Sequence, residues 1–271
     1  MKYLPNTFPA GSDNECPGCP SGFVFLSSNG SSIRHAGQIQ LRRRLRNGLA
    51  ANIQYTFSKS IDDAALGTPS QGGQGGTLIA QNWRDLSAER ALSNFDQRHQ
   101  FLVRMQYTTG AGIAGGILMG GWKGTLLKGW TFAGQLTVGS GLPLTPIYRA
   151  AVYGTGITGS IRPDVTGVSV DEPPAGFFLN PAAYSAPASG HWGDAGRNSI
   201  TGPRQFSLDA SLLRGFRWRN RYNIEFRLNS MNLINHVTFP GWNTTINSAQ
   251  FGLPNRANPM RTIQANLRVS F

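Results

Sequence analysis

The sequence contains no run approaching the ~20 apolar residues that a membrane helix needs, so a helical membrane protein is excluded. Its opening, Met1-Lys2-Tyr3-Leu4-Pro5, is not followed by an apolar core, and no secretory signal peptide is visible. Cysteine is scarce. The only two, Cys16 and Cys19, sit in Cys-Pro-Gly-Cys-Pro, without a second pair. The four histidines, His35, His99, His191 and His236, lie far apart, and no βαβ pattern flanks the cysteines. A zinc site or a thioredoxin-type centre is therefore disfavoured, leaving a local disulfide or ordinary loop cysteines. Neither a metal nor a cofactor is expected.

Charge is also sparse, at 14% of residues, and acidic residues are fewest: 13 Asp+Glu against 25 Lys+Arg, for a net charge of +12. Apart from Arg42-Arg43-Arg44 the basic residues are scattered, which argues against nucleic acid as a partner. The same distribution fits a positively lined cavity. Nothing reads as catalytic. Asp62-Asp63, Asp85 and Glu89 fall in Gly/Ser-rich segments that suggest solvated loops. Gly154-x-Gly156-x-x-Gly159 spells a dinucleotide fingerprint, but no helix is expected after it.

What the chain does have is glycine (34), proline (16) and a repeated alternation of period two. In Leu49–Ser58 the odd positions are apolar and the even ones mostly polar. Arg261–Phe271 does the same to the last residue. Ile39, Leu41 and Leu45 alternate with Gln38, Gln40, Arg42 and Arg44, and Phe101, Val103, Met105 and Tyr107 with Gln100, Arg104 and Gln106. Trp130, Phe132, Leu136 and Val138 oppose Thr131, Gln135 and Thr137. Phe206 to Leu212 and Tyr222 to Leu228 complete seven segments. Each runs to ~10 residues, the length of a tilted strand crossing a bilayer, where soluble strands average ~5–6. One face is apolar with aromatics towards the ends. The other carries Gln, Asn, Thr, Ser and Arg, as a wet lumen requires. A soluble antiparallel sandwich also alternates and is the competing architecture.

The connections separate the two. Arg46-Asn47-Gly48 predicts a three-residue hairpin loop, and another short turn is expected near Trp218. Long Gly/Pro/Ser/Asn-rich stretches occupy 61–97, 141–203 and 233–260, with 109–128 as a connection on the short side. Alternating short turns and long loops mark an outer-membrane barrel, whereas a soluble domain rarely contains three such loops. A terminal aromatic, Phe271, on an alternating last strand resembles the way bacterial outer-membrane barrels end, and that resemblance implies a periplasmic C-terminus. The short turns then share its side, and the three long loops face outward.

Several ordered motifs resemble the barrel of Oar-like TonB-dependent receptors. They are Gln40-Leu41-Arg42-Arg43-Arg44-Leu45 with Asn47-Gly48-Leu49, Tyr55-Thr56-Phe57-Ser58-Lys59-Ser60-Ile61-Asp62-Asp63, and Phe95-Asp96-Gln97-Arg98-His99. Gly129-Trp130 leading to Ser140-Gly141-Leu142-Pro143, Asn180-Pro181-Ala182-Ala183-Tyr184, and Glu225-Phe226-Arg227 through Asn232-Leu233-Ile234-Asn235-His236 continue the series across residues 23–271. The resemblance implies an all-β antiparallel transmembrane barrel of about 22 strands, plugged in its lumen, of which these are the last seven. It implies residence in the outer membrane of a Gram-negative bacterium and uptake or sensing of a large substrate, with TonB acting only through the plug. No plug or TonB box is recognised before the first strand. The expectation is thus one unit over 1–271, with 1–36 a loop or partial strand, partnered by outer-membrane lipid and by the parent protein's remaining strands and plug. A non-transporting surface or adhesion protein, a truncated relic and a soluble sandwich are the alternatives.

Candidate binding residues fall into two groups. Arg42, Arg44, Arg104, Arg227 and Arg268 are expected on the lumen face with Asp209 and Glu225. There they form cross-strand ladders or attract an anionic substrate; a hairpin centred on Trp218 would set Asp209 against Arg227 and Ser211 against Glu225. Tyr55, Phe57, Tyr107, Trp130, Phe132, Tyr222 and Phe271 are expected to face lipid. Trp83, Phe177, Phe178, Tyr184, Trp192 and Trp242 lie in the long loops, where they either contact substrate or hold the loops together.

Overall fold

The computed structural model describes residues 2–5, 24–27, 30–46, 48–63, 80–81, 86–110, 122, 124, 127–150, 152, 161–218 and 222–270. Cys16, Cys19, Trp83, Asp85, the 154–159 glycines and Phe271 lie outside them. A short ribbon pairs β1 (Lys2–Pro5) with β2 (Val24–Ser27). Two long strands follow, β3 (Ser32–Arg46) and β4 (Leu49–Asp62), the latter extended sideways by β5 (Ala91–Leu92). Next come β6 (His99–Thr108) and β7 (Trp130–Gly139). Four two-residue strands lie in the next connection: β8 (Pro143–Leu144), β9 (Asp164–Val165), β10 (Tyr184–Ser185) and β11 (Ile200–Thr201). The last three are β12 (Gln205–Trp218), β13 (Tyr222–Met231) and β14 (Thr262–Ser270).

The seven long strands form one sheet in the order β14-β13-β12-β7-β6-β4-β3, every neighbour antiparallel. Sequence neighbours are sheet neighbours throughout, the up-and-down pattern that short turns and long loops dictate. The sheet does not close on itself: β3 and β14 are its two edges.

Alternation fixes what each face carries, because residues opposite one another in register share a face. One row runs Leu49, Tyr107, Phe132, Leu212, Leu228, Ala265 across six strands. All are apolar. Three residues along β4, on the other face, runs Arg42, Asn52, Arg104, Gln135, Asp209. The apolar face is uncovered, with Leu267 at 69% and Ile39 at 66% exposure. A soluble sandwich would bury that face against a second sheet, and among the described residues none packs there.

Aromatics mark both ends of the apolar face. At the hairpin end Trp130 stacks edge-on to Phe226 at 6.3 Å and lies under the Arg214 guanidinium at 5.1 Å. At the loop end the Tyr55 hydroxyl is 2.7 Å from His99 Nδ1, and Phe57 tilts against the same ring. From His99 to Tyr107 the chain advances about 27 Å at ~3.4 Å per residue. With a tilt of ~40° that is about 21 Å of height, close to the ~25 Å apolar band of outer-membrane barrels.

Three registers differ from expectation. The β3–β4 loop is tighter than three residues, since Arg46 already pairs with Leu49; Gly48 turns it at φ 78°, where a Cβ would clash with backbone. The irregularity between Arg43 and Arg46 breaks strict alternation near Arg44. The hairpin near Trp218 closes on Trp218–Tyr222, so its centre lies beyond Trp218. Leu213 therefore faces Arg227, Ser211 faces Asn229 and Gly215 faces Glu225. Asp209 lies past the last β12–β13 pair and faces Gln135 of β7 instead. The expected Asp209–Arg227 opposition does not form.

The buried apolar core is not under the sheet but in the long connections. Leu144, Leu179, Ile200, Trp242 and Phe251 form it, with Val170, Tyr184, Phe239 and Ile246 packed around. These residues come from segments 141–203 and 233–260, which β8–β11 and β9–β10 pairing help to fold. The resulting cap sits on the polar side of the sheet at its loop end. There the β4 residues Thr56, Ser58, Ser60 and Asp62, all on the polar face, are buried.

Candidate functional site

The polar face holds an open depression of about 880 Å³. Its floor is the row Asn52, Arg104, Gln135, Asp209, with Gln106 and Ser211 one row below; Arg42 opens that row on β3, Arg44 lies at the irregularity beyond it, and Arg43, opposite Ala51, belongs by register to the other face. Arg104 donates Nε–H to Gln135 Oε1 at 2.9 Å, which fixes the plane of its guanidinium. The single carboxylate, Asp209, accepts from the Asn232 backbone N–H at 3.0 Å and from Ser207 Oγ at 3.1 Å. Gln40 Nε2 donates to Asn52 Oδ1 at 2.9 Å. The polar row thus carries Arg42 and Arg104, with Arg44 at its margin, beside one carboxylate that is already engaged by neutral donors.

Of the five lumen arginines expected from sequence, the structure gathers Arg42, Arg44 and Arg104 and leaves the others aside. Arg227 pairs with Glu225 on its own strand at 3.2 Å, and both are half-exposed. Arg268 stands opposite Glu225 across the β13–β14 ladder. These two serve the wall near its β14 edge. Arg227 thus finds its unlike charge on its own strand, and Glu225 has a second one opposite it on β14.

The loop aromatics are mostly used for cohesion. Trp242 is 8% exposed and stacks on Phe178 at 4.4 Å with an interplanar angle of 11°. Tyr184 meets Phe251 edge-on at 6.1 Å. Burial pushes the Tyr184 hydroxyl above the ordinary phenol range; a hydrogen bond with Ser199 opposes this and the Asp171 charge adds to it. Trp192 is half-buried, and its indole N–H is enclosed without a partner among the described residues. Of these aromatics, among the described residues Phe178 keeps a broad exposed face, as does Phe95 in 61–97.

Sequence reasoning missed the polar seam between cap and wall. Asp62 and Glu89, expected to be solvated, are buried. Arg162 Nη1 spans both Glu89 carboxylate oxygens at 3.0 and 2.9 Å. Arg197 Nη2 pairs with the Asp62 carboxylate and donates to its backbone carbonyl at 2.7 Å, while Arg197 Nε donates to the Glu89 carbonyl. Gln81 knits the set together, its side chain bridging Gly193 O and the Arg162 backbone N–H. Asn198 and Thr145 bond reciprocally, and Asn198 reaches Leu92 O. Buried charges persist only when paired and hydrogen-bonded, and each of these is. The partners lie 73 and 135 residues apart, so no local spacing announced them.

Among the described residues no three His, Cys, Asp or Glu side chains gather to hold a metal ion. No described helix is long and apolar enough to cross a membrane, which says nothing of strands. A family model for an outer membrane beta barrel domain matches residues 5–264. No curated protein and no solved structure matches the chain.

Proposed function

The chain belongs to the family of outer membrane beta barrel domains and resides in the outer membrane of a Gram-negative bacterium, and from that premise we propose that it is the wall segment of a TonB-dependent receptor of the Oar-like kind. The carrying observation is the pair of registered rows, one apolar across six strands and one polar across five, on opposite faces of a single open sheet. The uncovered face takes lipid, and the arginine-lined face takes the lumen. Lipid does not tolerate the unpaired edges of β3 and β14, so further strands of the parent protein complete the wall, to about 22 in all. A plug within that barrel transmits the pull of TonB. The loop cap lies outside the cell, over the lumen, and the hairpin ends lie in the periplasm. The chain has no catalytic role in this reading, needs no cofactor, and meets its substrate at the depression or the cap.

A second reading, a surface or adhesion protein that transports nothing, is favoured by one feature: the cap has its own apolar core and a buried ionic seam to the wall, so its outer surface is well fixed. The two are separated by depletion of solutes from the medium by producing and deletion strains, each with and without functional TonB. A solute removed only when both the protein and TonB are present supports the receptor. No TonB-dependent difference sinks it and leaves the surface role.

A further inference from the structure

The depression contains more positive charge than the wall's own structure uses. Among the described residues Arg42, Arg44 and Arg104 join no ion pair, whereas Arg162, Arg197 and Arg227 each do. Arg104 is oriented by Gln135 through Nε, and among the described residues no hydrogen bond or ion pair engages its two terminal nitrogens. The one neighbouring carboxylate, Asp209, offsets only part of this charge and makes its hydrogen bonds to the Asn232 N–H and the Ser207 hydroxyl rather than to an arginine. A ladder built only for cohesion would alternate signs, as the Glu225–Arg227–Arg268 group does on the same face.

We propose that this depression is a binding site for a small solute bearing two or more carboxylate or phosphate groups. The volume suits a small molecule rather than a macromolecular surface, at about 880 Å³ against the ~300–1,000 Å³ of ligand pockets. Guanidinium forks match planar oxyanions in geometry as well as charge. Asn52, Gln106 and Ser211 add neutral donors and acceptors beside the arginines, so the ligand's hydroxyl or amide groups have partners as well. The proposal rests on the polar face being the inner wall of a receptor, but it concerns equilibrium binding and needs no energised transport.

The test is equilibrium dialysis of labelled citrate against outer-membrane vesicles from producing cells, with raffinose as the neutral comparator. Saturable citrate binding that weakens with salt and has no raffinose counterpart is expected. The R42Q/R104Q double variant should bind at least about tenfold more weakly, each lost charged hydrogen bond being worth close to a decade. R256Q, which removes one such charge from an exposed loop residue, should leave binding unchanged. D209N should tighten citrate binding severalfold, because it removes the only negative charge in the depression; a merely structural Asp209 would give unchanged or weaker binding. Absent citrate binding, equal retention of raffinose, an indifferent double variant, or D209N binding no tighter than the parent protein would each overturn the site. Loss of TonB-dependent uptake with citrate binding intact would sink the transport reading and leave this one standing.

Discussion

Arg197 shows how much a single side chain can decide in this molecule. Its guanidinium reaches Asp62 at the end of β4 and the Glu89 carbonyl in the next loop, from a position in the cap. Removing one partner of a buried pair leaves the other charge without compensation, at a cost of about 3–5 kcal/mol. R197M should therefore release the cap from the wall without unfolding the sheet. Limited proteolysis of intact cells would then cut within 141–203 much faster than in the parent strain, while β-sheet content by circular dichroism stays the same. Tyr184 carries a milder dependence. Its phenol is held above the usual range by burial, so its contribution to cap stability is complete below the unfolded value of 10.0 and is lost as pH rises through the folded one. Protease resistance of the cap should fall above about pH 10, and Y184F should remove that part of the pH dependence.

The strands were legible because alternation is a local signal. Seven of seven expected segments became the seven long strands, in sequence order and on the expected faces. Registers were less accessible. A hairpin's centre is set by the turn's backbone, and near Trp218 the apolar pattern is unchanged by an even shift in register, so Asp209 could be assigned the wrong partner with the correct face. The cap was illegible for another reason. Glycine and proline announce a loop but not its destination, and the arginine that pairs with Asp62 lies 135 positions away. The face assignment has a direct test in adjacent residues of β7. Leu136→Arg puts a charge into lipid near mid-strand, at a cost of about 2–4 kcal/mol, whereas Thr137→Arg points to the lumen and costs little. Urea titrations of the protein in bilayers should show the first destabilised and the second within error of the parent.

On the scale of the whole molecule, the sheet is a divider with two unlike ends. Aromatic residues flank an apolar band on one face, and the cap closes over the other face at the loop end only. The orientation proposed above is open to labelling. A cysteine replacing exposed Asp171 in the cap should react with a membrane-impermeant maleimide on intact cells. One replacing exposed Arg217 near the Trp218 hairpin should react only after the outer membrane is permeabilised. The reverse pattern would invert the molecule and put the cap in the periplasm.

Seven antiparallel strands also constrain symmetry. Because the count is odd, the first and last strands of the sheet, β3 and β14, run in the same direction. Rotation about the membrane normal preserves strand direction, so identical copies arranged in a ring would meet edge to edge in parallel. Turning a copy over would restore antiparallel pairing, but it would carry the cap to the opposite side of the membrane. No cyclic homo-oligomer of this sheet can therefore close an all-antiparallel wall. In the barrel proposed above, the complement would be a different stretch of polypeptide, odd in its own strand count, with both of its border strands running opposite to β3 and β14.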